Sequence, residues 1–162
     1  RDSAEVWHIN KKDVGIMGIS AGGHLASSLS THAEEAVRPN FSILFYPVIS
    51  MDERITHKGS CVNFLGEERK TNAKLVEEWS NDKAVRPQVT PRVILLMSSD
   101  DKVVPPVTNG VAYYTAMNKA GNECTLHIYP SGGHGWGFRN TAQGFRYHVQ
   151  MLDDLTTWLQ HF

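Results

Sequence analysis

Residues 13–28, DVGIMGISAGGHLASS, constrain the fold more than any other part of this chain. An apolar run over 14–17 is broken by Gly18-Ile19-Ser20-Ala21-Gly22-Gly23, and a segment rich in Ala, Leu and Ser follows. The pattern predicts a strand, a very tight turn and a helix. Gly18 and Gly22 flank Ser20, where side chains are expected to clash as the strand folds back onto the helix. Such a turn forces Ser20 into a strained backbone position and lifts its hydroxyl clear of the sheet edge. The helix N-terminus behind it offers free N–H groups to a developing negative charge. A serine in a Gly-rich turn is by itself only a turn residue. The strand before and the helix after are what make this G-x-S-x-G a candidate nucleophile.

Residues 1–12 are polar, with Ala4, Val6, Trp7 and Ile9 scattered among charges, and read as the end of a helix leading into a loop. Strand one is 14–17 and the helix after it 22–32. Arg38-Pro39-Asn40 is a break. Residues 41–46, FSILFY, form a continuous apolar run that suits a parallel strand covered on both faces. Pro47 ends it. Residues 48–70 are irregular and predict a loop with a short helix over the strand ends. Residues 71–79 read as a helix with Leu75, Val76 and Trp79 on one side. Residues 80–91 are polar and punctuated by Pro87 and Pro91.

Residues 92–97, RVILLM, predict a third buried strand, and 98–106 a loop. A helix over 108–120 carries Val111, Tyr114 and Met117, with Gly121 placed as its C-cap. Residues 124–129 predict a fourth strand, 130–137 a Gly-rich loop. Residues 144–162 predict a long amphipathic helix with Phe145, Val149, Leu152, Leu155 and Leu159 inward. The order βαβαβαβα implies an α/β fold: three layers, α/β/α, around a parallel sheet of about four strands with right-handed crossovers.

At 162 residues the chain is expected to be one domain. A net charge of −1 gives no basic surface for nucleic acid or for an acidic membrane. No apolar run approaches the ~20 residues that span a bilayer. The chain opens on RDSAEVWHIN, with no Met and no visible targeting segment. Cys61 and Cys124 are far apart and form no ligand pattern, so buried free thiols are expected.

In parallel α/β sheets, ligands sit at the carboxyl ends of the strands. Three such ends carry candidate chemistry. The first holds Ser20, the third ends in Asp100-Asp101, and the fourth in Ser131-Gly132-Gly133-His134-Gly135-Trp136-Gly137. A serine needs a base to accept its proton, and histidine is the base that works near neutral pH. The histidine needs a carboxylate to fix its tautomer and stabilise the imidazolium. The chain order Ser, Asp, His is the one expected for this elbow. Of eight histidines, His134 alone combines a strand-end loop with glycines on both sides. His8, His24, His32, His57, His127, His148 and His161 read as structural or solvated. Asp101 fits a D-x-x-V-P frame. Asp101 is the favoured acid of the pair; Asp100 fits a looser D-x-x-V frame and stands as the alternative acid or as a brace for the turn. Residues 50–70 and Trp136 border the site or simply pack.

With these residues in hand the chain resembles the α/β-hydrolases, and within them the bacterial esterase/lipase group of acetyl xylan esterases and related sugar-ester hydrolases. The resemblance rests on MGISAGGHLAS (17–27), FYPVISM (45–51), FLGE (64–67), WSNDKAVRPQVTPRVILLMSSDDKVVPP (79–106) and LHIYPSGGHGWGFR (126–139). It implies a serine carboxylesterase that removes small acyl groups, chiefly acetyl, from a carbohydrate such as xylan. It implies Ser20 as nucleophile, His134 as base then acid, Asp101 as its orienting acid and the N–H of Ala21 as an oxyanion donor. No metal or organic cofactor is needed for that chemistry. The implied partner is a small-molecule or carbohydrate ester.

Enzymes of this kind carry about four further strands and an HGG-like loop before the elbow. Neither is in this sequence, which is therefore expected to form the C-terminal portion of the fold. Strand one, central in the whole fold, would then be an open edge for a second copy of the chain to cover. Two alternatives remain: a prolyl-oligopeptidase-type serine peptidase, and a catalytically silent α/β module.

Overall fold

The computed structural model describes residues 1–139 and 145–161. Four parallel strands form a sheet in the order β1 (Gly15–Ile19), β2 (Phe41–Phe45), β3 (Arg92–Ser98), β4 (Cys124–Tyr129). Helix α1 (Ala21–His32) connects β1 to β2, and α2 (Lys58–Leu65) and α3 (Ala73–Glu78) lie between β2 and β3. Helix α4 (Ala112–Lys119) connects β3 to β4, and α5 (His148–Gln160) follows β4.

Alternation along the strands divides the apolar residues between two faces. Ile43, Phe45, Ile94 and Leu96 pack with Met151 and Leu155 of α5. Leu44, Val93 and Leu95 pack with Ala26 of α1 and with Tyr113 and Met117 of α4. The architecture is thus the expected α/β/α sandwich. Strand β3 is buried from Val93 to Ser98, and each large aliphatic side chain there is worth about 1.5–3 kcal/mol of burial. The α1 face also carries a buried polar pair, Ser30 Oγ and Ser42 Oγ, 3.0 Å apart.

The elements depart from the sequence expectation in five places. Residues 1–12 form turns, not a helix end. Val6 and Trp7 stand exposed, so no apolar face pays for a helix there, and His8 has a φ of 52°. Strand β1 continues to Ile19, because Gly18 and Ile19 pair with Leu44 and Phe45. The helix expected from residue 108 opens with a π-helical turn, Val107–Val111. That wider turn holds buried Asn109, whose Oδ1 accepts the N–H of Ile49 at 2.9 Å while its Nδ2 donates to Pro105 O at 3.1 Å. Helix α5 begins at His148; the expected ends at residues 144 and 162 lie outside the described residues. Its buried stripe is Met151, Leu155 and half-buried Trp158, whereas Val149 and Leu159 face solvent. Finally, both cysteines are free as expected, but only Cys61 is fully buried; Cys124 is half-buried, and its surroundings push its thiol up to about 12.

Candidate active site

Ser20 sits between β1 and α1 with φ 55° and ψ −120°, a conformation that L residues adopt only when their surroundings impose it. The surroundings are backbone hydrogen bonds. Ser20 N–H donates to Phe45 O at 3.0 Å, and Ser20 O accepts from Gly23 and Val48. The elbow is thereby stapled to the exit of β2. Close approach explains two of its glycines. A Cβ on Gly18 would press into the Gly22 carbonyl and lie 2.7 Å from Ala26 Cβ; one on Gly23 would lie 2.5 Å from Pro47 Cβ. Gly22 differs from the expectation: a Cβ there meets nothing within 4 Å. The crowding acts on the Gly22 backbone, not on the space its side chain would take.

His134 reaches Ser20 from the loop after β4. Its Nε2 lies 2.8 Å from Ser20 Oγ, and its Nδ1 lies 2.7 Å from Asp101 Oδ2. A carboxylate only accepts, so Nδ1 carries the proton and Nε2 is left to accept from the serine. The flanking glycines, Gly133 and Gly135, have φ of 59° and 88°, which lets the loop fold the ring back over the strand ends.

The two aspartates have different surroundings. Asp101 is buried; its second oxygen, Oδ1, accepts the N–H groups of Val103 and Val104, both at 2.9 Å. Its carboxylate is therefore aimed before the histidine arrives. Asp100 is exposed and accepts the Gly133 N–H at 2.8 Å. That bond, with help from the Gly132 backbone, holds its carboxyl below the usual carboxylate range. Asp100 braces the loop and Asp101 faces the ring.

Ala21, the first residue of α1, is exposed, and its N–H has no partner within the helix. Trp136 does not border the site. It is 1% exposed, donates from Nε1 to Ser98 Oγ at 2.9 Å and stacks on Phe145 with centroids 3.9 Å apart. It anchors the loop that carries His134. Other histidines spend their bonds elsewhere: His24 meets Trp79 O at 2.8 Å, and His127 lies 3.5 Å from Asp154. Burial pulls the His24 imidazole below its ordinary value.

Sequence reading missed Tyr46. It is 1% exposed with a φ of 33°, its N–H donates to Leu96 O at 2.8 Å, and its ring meets the His134 ring edge-on at 4.6 Å. The Gly137 backbone lies against its hydroxyl, and burial pushes that phenol up. Tyr46 therefore packs against His134 and the C-terminal end of its loop. Its signal in the sequence was an aromatic residue closing the FSILFY run, directly before Pro47.

A hydroxyl, an imidazole and a carboxylate in series can pass a proton away from the hydroxyl, and an unpaired helix N–H beside them can receive negative charge. Among the described residues, no cluster of His, Cys, Asp and Glu could hold a metal ion, and no helix is long and apolar enough to cross a membrane.

Known proteins share this arrangement of chain. An acetylxylan esterase of Xylanibacter ruminicola is 59% identical over 160 residues, 99% of this chain and 33% of that protein. Endo-1,4-beta-xylanase B of Butyrivibrio fibrisolvens is 32% identical over 146 residues, 83% of this chain and 22% of that one. Among solved structures, the acetyl ester-xyloside bifunctional hydrolase of Caldicellulosiruptor lactoaceticus superposes with a TM-score of 0.82 at 30% identity, over 98% of this chain and 61% of that chain. The chain thus spans a third or less of these curated relatives. The prolyl oligopeptidase family matches residues 3–161. With its parallel sheet and strand–serine–helix elbow, the chain has an α/β-hydrolase fold and belongs to the prolyl oligopeptidase family.

Proposed function

We propose that this protein is a serine carboxylesterase that removes small acyl groups, acetyl first among them, from a carbohydrate. The observation that carries the reading is the unbroken relay from Ser20 Oγ through His134 to Asp101. The carbohydrate acetyl ester is supported by the 59% identity to an acetylxylan esterase.

In this mechanism Ser20 Oγ attacks the ester carbonyl while His134 Nε2 takes its proton. The Asp101 carboxylate stabilises the imidazolium and keeps the ring oriented. The oxyanion of the tetrahedral intermediate accepts the N–H of Ala21. His134 returns the proton to the leaving alcohol oxygen, and the acyl group remains on Ser20. Water then attacks the acyl-enzyme, giving its proton to His134. Collapse releases the carboxylic acid and restores the Ser20 hydroxyl.

A fluorophosphonate should label Ser20, and labelling should disappear in His134→Ala. Ser20→Ala should lower turnover of p-nitrophenyl acetate by at least about 10⁴-fold. Retained turnover in that variant would overturn the reading, and an unlabelled Ser20 would favour a silent module. The family match favours one other reading, a serine peptidase. Cleavage of short proline peptides in preference to acetyl esters would reverse the ranking.

The open side of β1 bears on partners. Met17 and Ile19 are 52% and 41% exposed on an edge strand. For the 162-residue chain on its own, a second copy is the proposed cover, because an unpaired apolar edge is a template for another strand. Sedimentation should give a dimer; a monomer at micromolar concentration would remove this part of the proposal.

A further inference from the structure

In the resting site His134 is held at both ring nitrogens: Nε2 lies 2.8 Å from Ser20 Oγ and Nδ1 lies 2.7 Å from Asp101 Oδ2. One of those holds is lost during the reaction proposed above, on which this inference rests. Once Ser20 Oγ carries the acyl group it has no proton to donate, and its bond to Nε2 is gone. The imidazole is then pinned at Nδ1 alone. Rotation of a histidine ring about its bond to Cβ is broad and soft, so a single hydrogen bond leaves Nε2 free to swing. The neighbours in the chain give no support, because Gly133 and Gly135 have no side chains. Nε2 must nevertheless stay aimed at the ester carbonyl, where it takes a proton from the attacking water.

Tyr46 is the group placed to hold the ring at that stage. Its ring centroid lies 4.6 Å from that of His134, with the two planes 60° apart. The tyrosine is itself immobilised. It is 1% exposed, its N–H donates to Leu96 O at 2.8 Å, and its ring meets Trp136 edge-on at 5.0 Å. A φ of 33° is a strained conformation for so bulky a residue, and it persists only where the surroundings over-determine it. The residue before it holds the nucleophile, since Phe45 O accepts the Ser20 N–H at 3.0 Å. None of these contacts involves Ser20 Oγ, so all of them persist when Oγ is acylated.

We propose that Tyr46 is a positioning residue for deacylation, whose ring keeps His134 in register with Asp101 while Ser20 is acylated. In that step water gives a proton to His134 Nε2 as its oxygen bonds to the acyl carbon. The bond between that carbon and Oγ then breaks, and the proton passes from Nε2 to Ser20 Oγ. Acylation leans on Tyr46 less, because the Ser20 hydroxyl itself holds Nε2 when that step begins.

The test uses Tyr46→Met and Tyr46→Phe. Methionine refills the space with a flexible chain, and phenylalanine keeps the flat ring without its hydroxyl. With p-nitrophenyl acetate, kcat/KM reports acylation, and slowed hydrolysis of acetyl-Ser20 appears in kcat. Tyr46→Met should lower kcat at least about tenfold, with KM falling in step so that kcat/KM stays within about threefold. Acetyl-Ser20 should accumulate in that variant, read by intact-mass spectrometry at steady state. Tyr46→Phe should match the unaltered protein in kcat, KM and acetyl-Ser20. Equal losses of kcat and kcat/KM in Tyr46→Met, or no loss, would overturn the proposal and leave the esterase reading intact. So would accumulation of acetyl-Ser20 in Tyr46→Phe, whether or not Tyr46→Met folds. No turnover by the unaltered protein, with Ser20 unlabelled by fluorophosphonate, would overturn both.

Discussion

The two ends of the sheet differ in how completely they are finished. At β3 and β4, Val93 to Ser98 are buried, Asp101 has partners for both oxygens, and Trp136 locks the histidine loop to Ser98. At β1, Met17 and Ile19 stand half in solvent; β1 and β4 are both edge strands among the described residues, so burial and not pairing sets the two ends apart. The acid and base of the proposed relay stand on the finished end, and the nucleophile stands next to the open one. Ser20 is held by backbone bonds to Phe45 and Val48, at and just beyond the exit of β2, not by burial on all sides. The relay thus needs β2 and β3 for its alignment, while β1 supplies the turn.

The largest test of that contrast separates the adjacent acids. Asp101→Asn should lower kcat by about 10⁴-fold, because the amide stabilises the wrong imidazole tautomer. Asp100→Ala removes only a brace on Gly133 and should cost less than about tenfold. Steady-state hydrolysis of p-nitrophenyl acetate measures both. Equal losses would mean that loop support, not tautomer control, is what the pair provides.

Stability should show the same asymmetry. Leu96→Ala empties a fully buried position on β3 and should cost about 2–5 kcal/mol in urea unfolding. Met17→Ala removes a side chain already half exposed and should cost below about 1 kcal/mol. A large loss at Met17 would mean that the open end is covered in solution, and would point to the strand-pairing partner proposed for it.

Much of this was legible in the chain because the signals were local. A strand, a glycine-flanked serine and the start of a small-residue helix lie within residues 13–28, and FSILFY and RVILLM are buried runs on any reading. What was illegible depended on distant partners. Asp100 and Asp101 leave the same strand, and only the Val103 and Val104 amides and the burial of one carboxylate separate them. Trp136 could line the site or pack until Ser98 was seen beneath it. The stripe of α5 was read from Phe145, three residues before the helix begins, so its register slid onto Val149 and Leu159 and off Met151 and Trp158. Tyr46 was missed because its role lies in a positive φ and in a ring that arrives from 88 residues away, neither of which leaves a periodic trace.

The smallest expected effect is a difference in acid sensitivity between the two ends. His24, on α1, is buried against Phe64 and donates to Trp79 O, and its burial lowers its pKa from the ordinary 6.5; nearby His32 acts in the same direction. The unfolded chain therefore takes up that proton first as pH falls. The stability tied to neutral His24 is complete above about 6.5 and is lost as pH falls toward the lower folded value. Asp100, at the other end, is held below the ordinary 3.8 by the Gly133 N–H. Its contribution is complete above about 3.8 and disappears only as pH falls through its lower folded value. Between pH 6.5 and 4, then, acid should loosen α1 and its contacts with α2 and α3 while the His134 loop keeps its brace. Hydrogen exchange followed at pH 7 and pH 5, corrected for intrinsic rates, should show faster opening of α1 amides and unchanged amides at 131–137. His24→Gln, which keeps a donor for Trp79 O without a titrating ring, should remove the acid-induced opening of α1. An α1 that loosens equally in that variant would place the acid sensitivity elsewhere, and would erase the electrostatic part of the contrast while leaving its packing part standing.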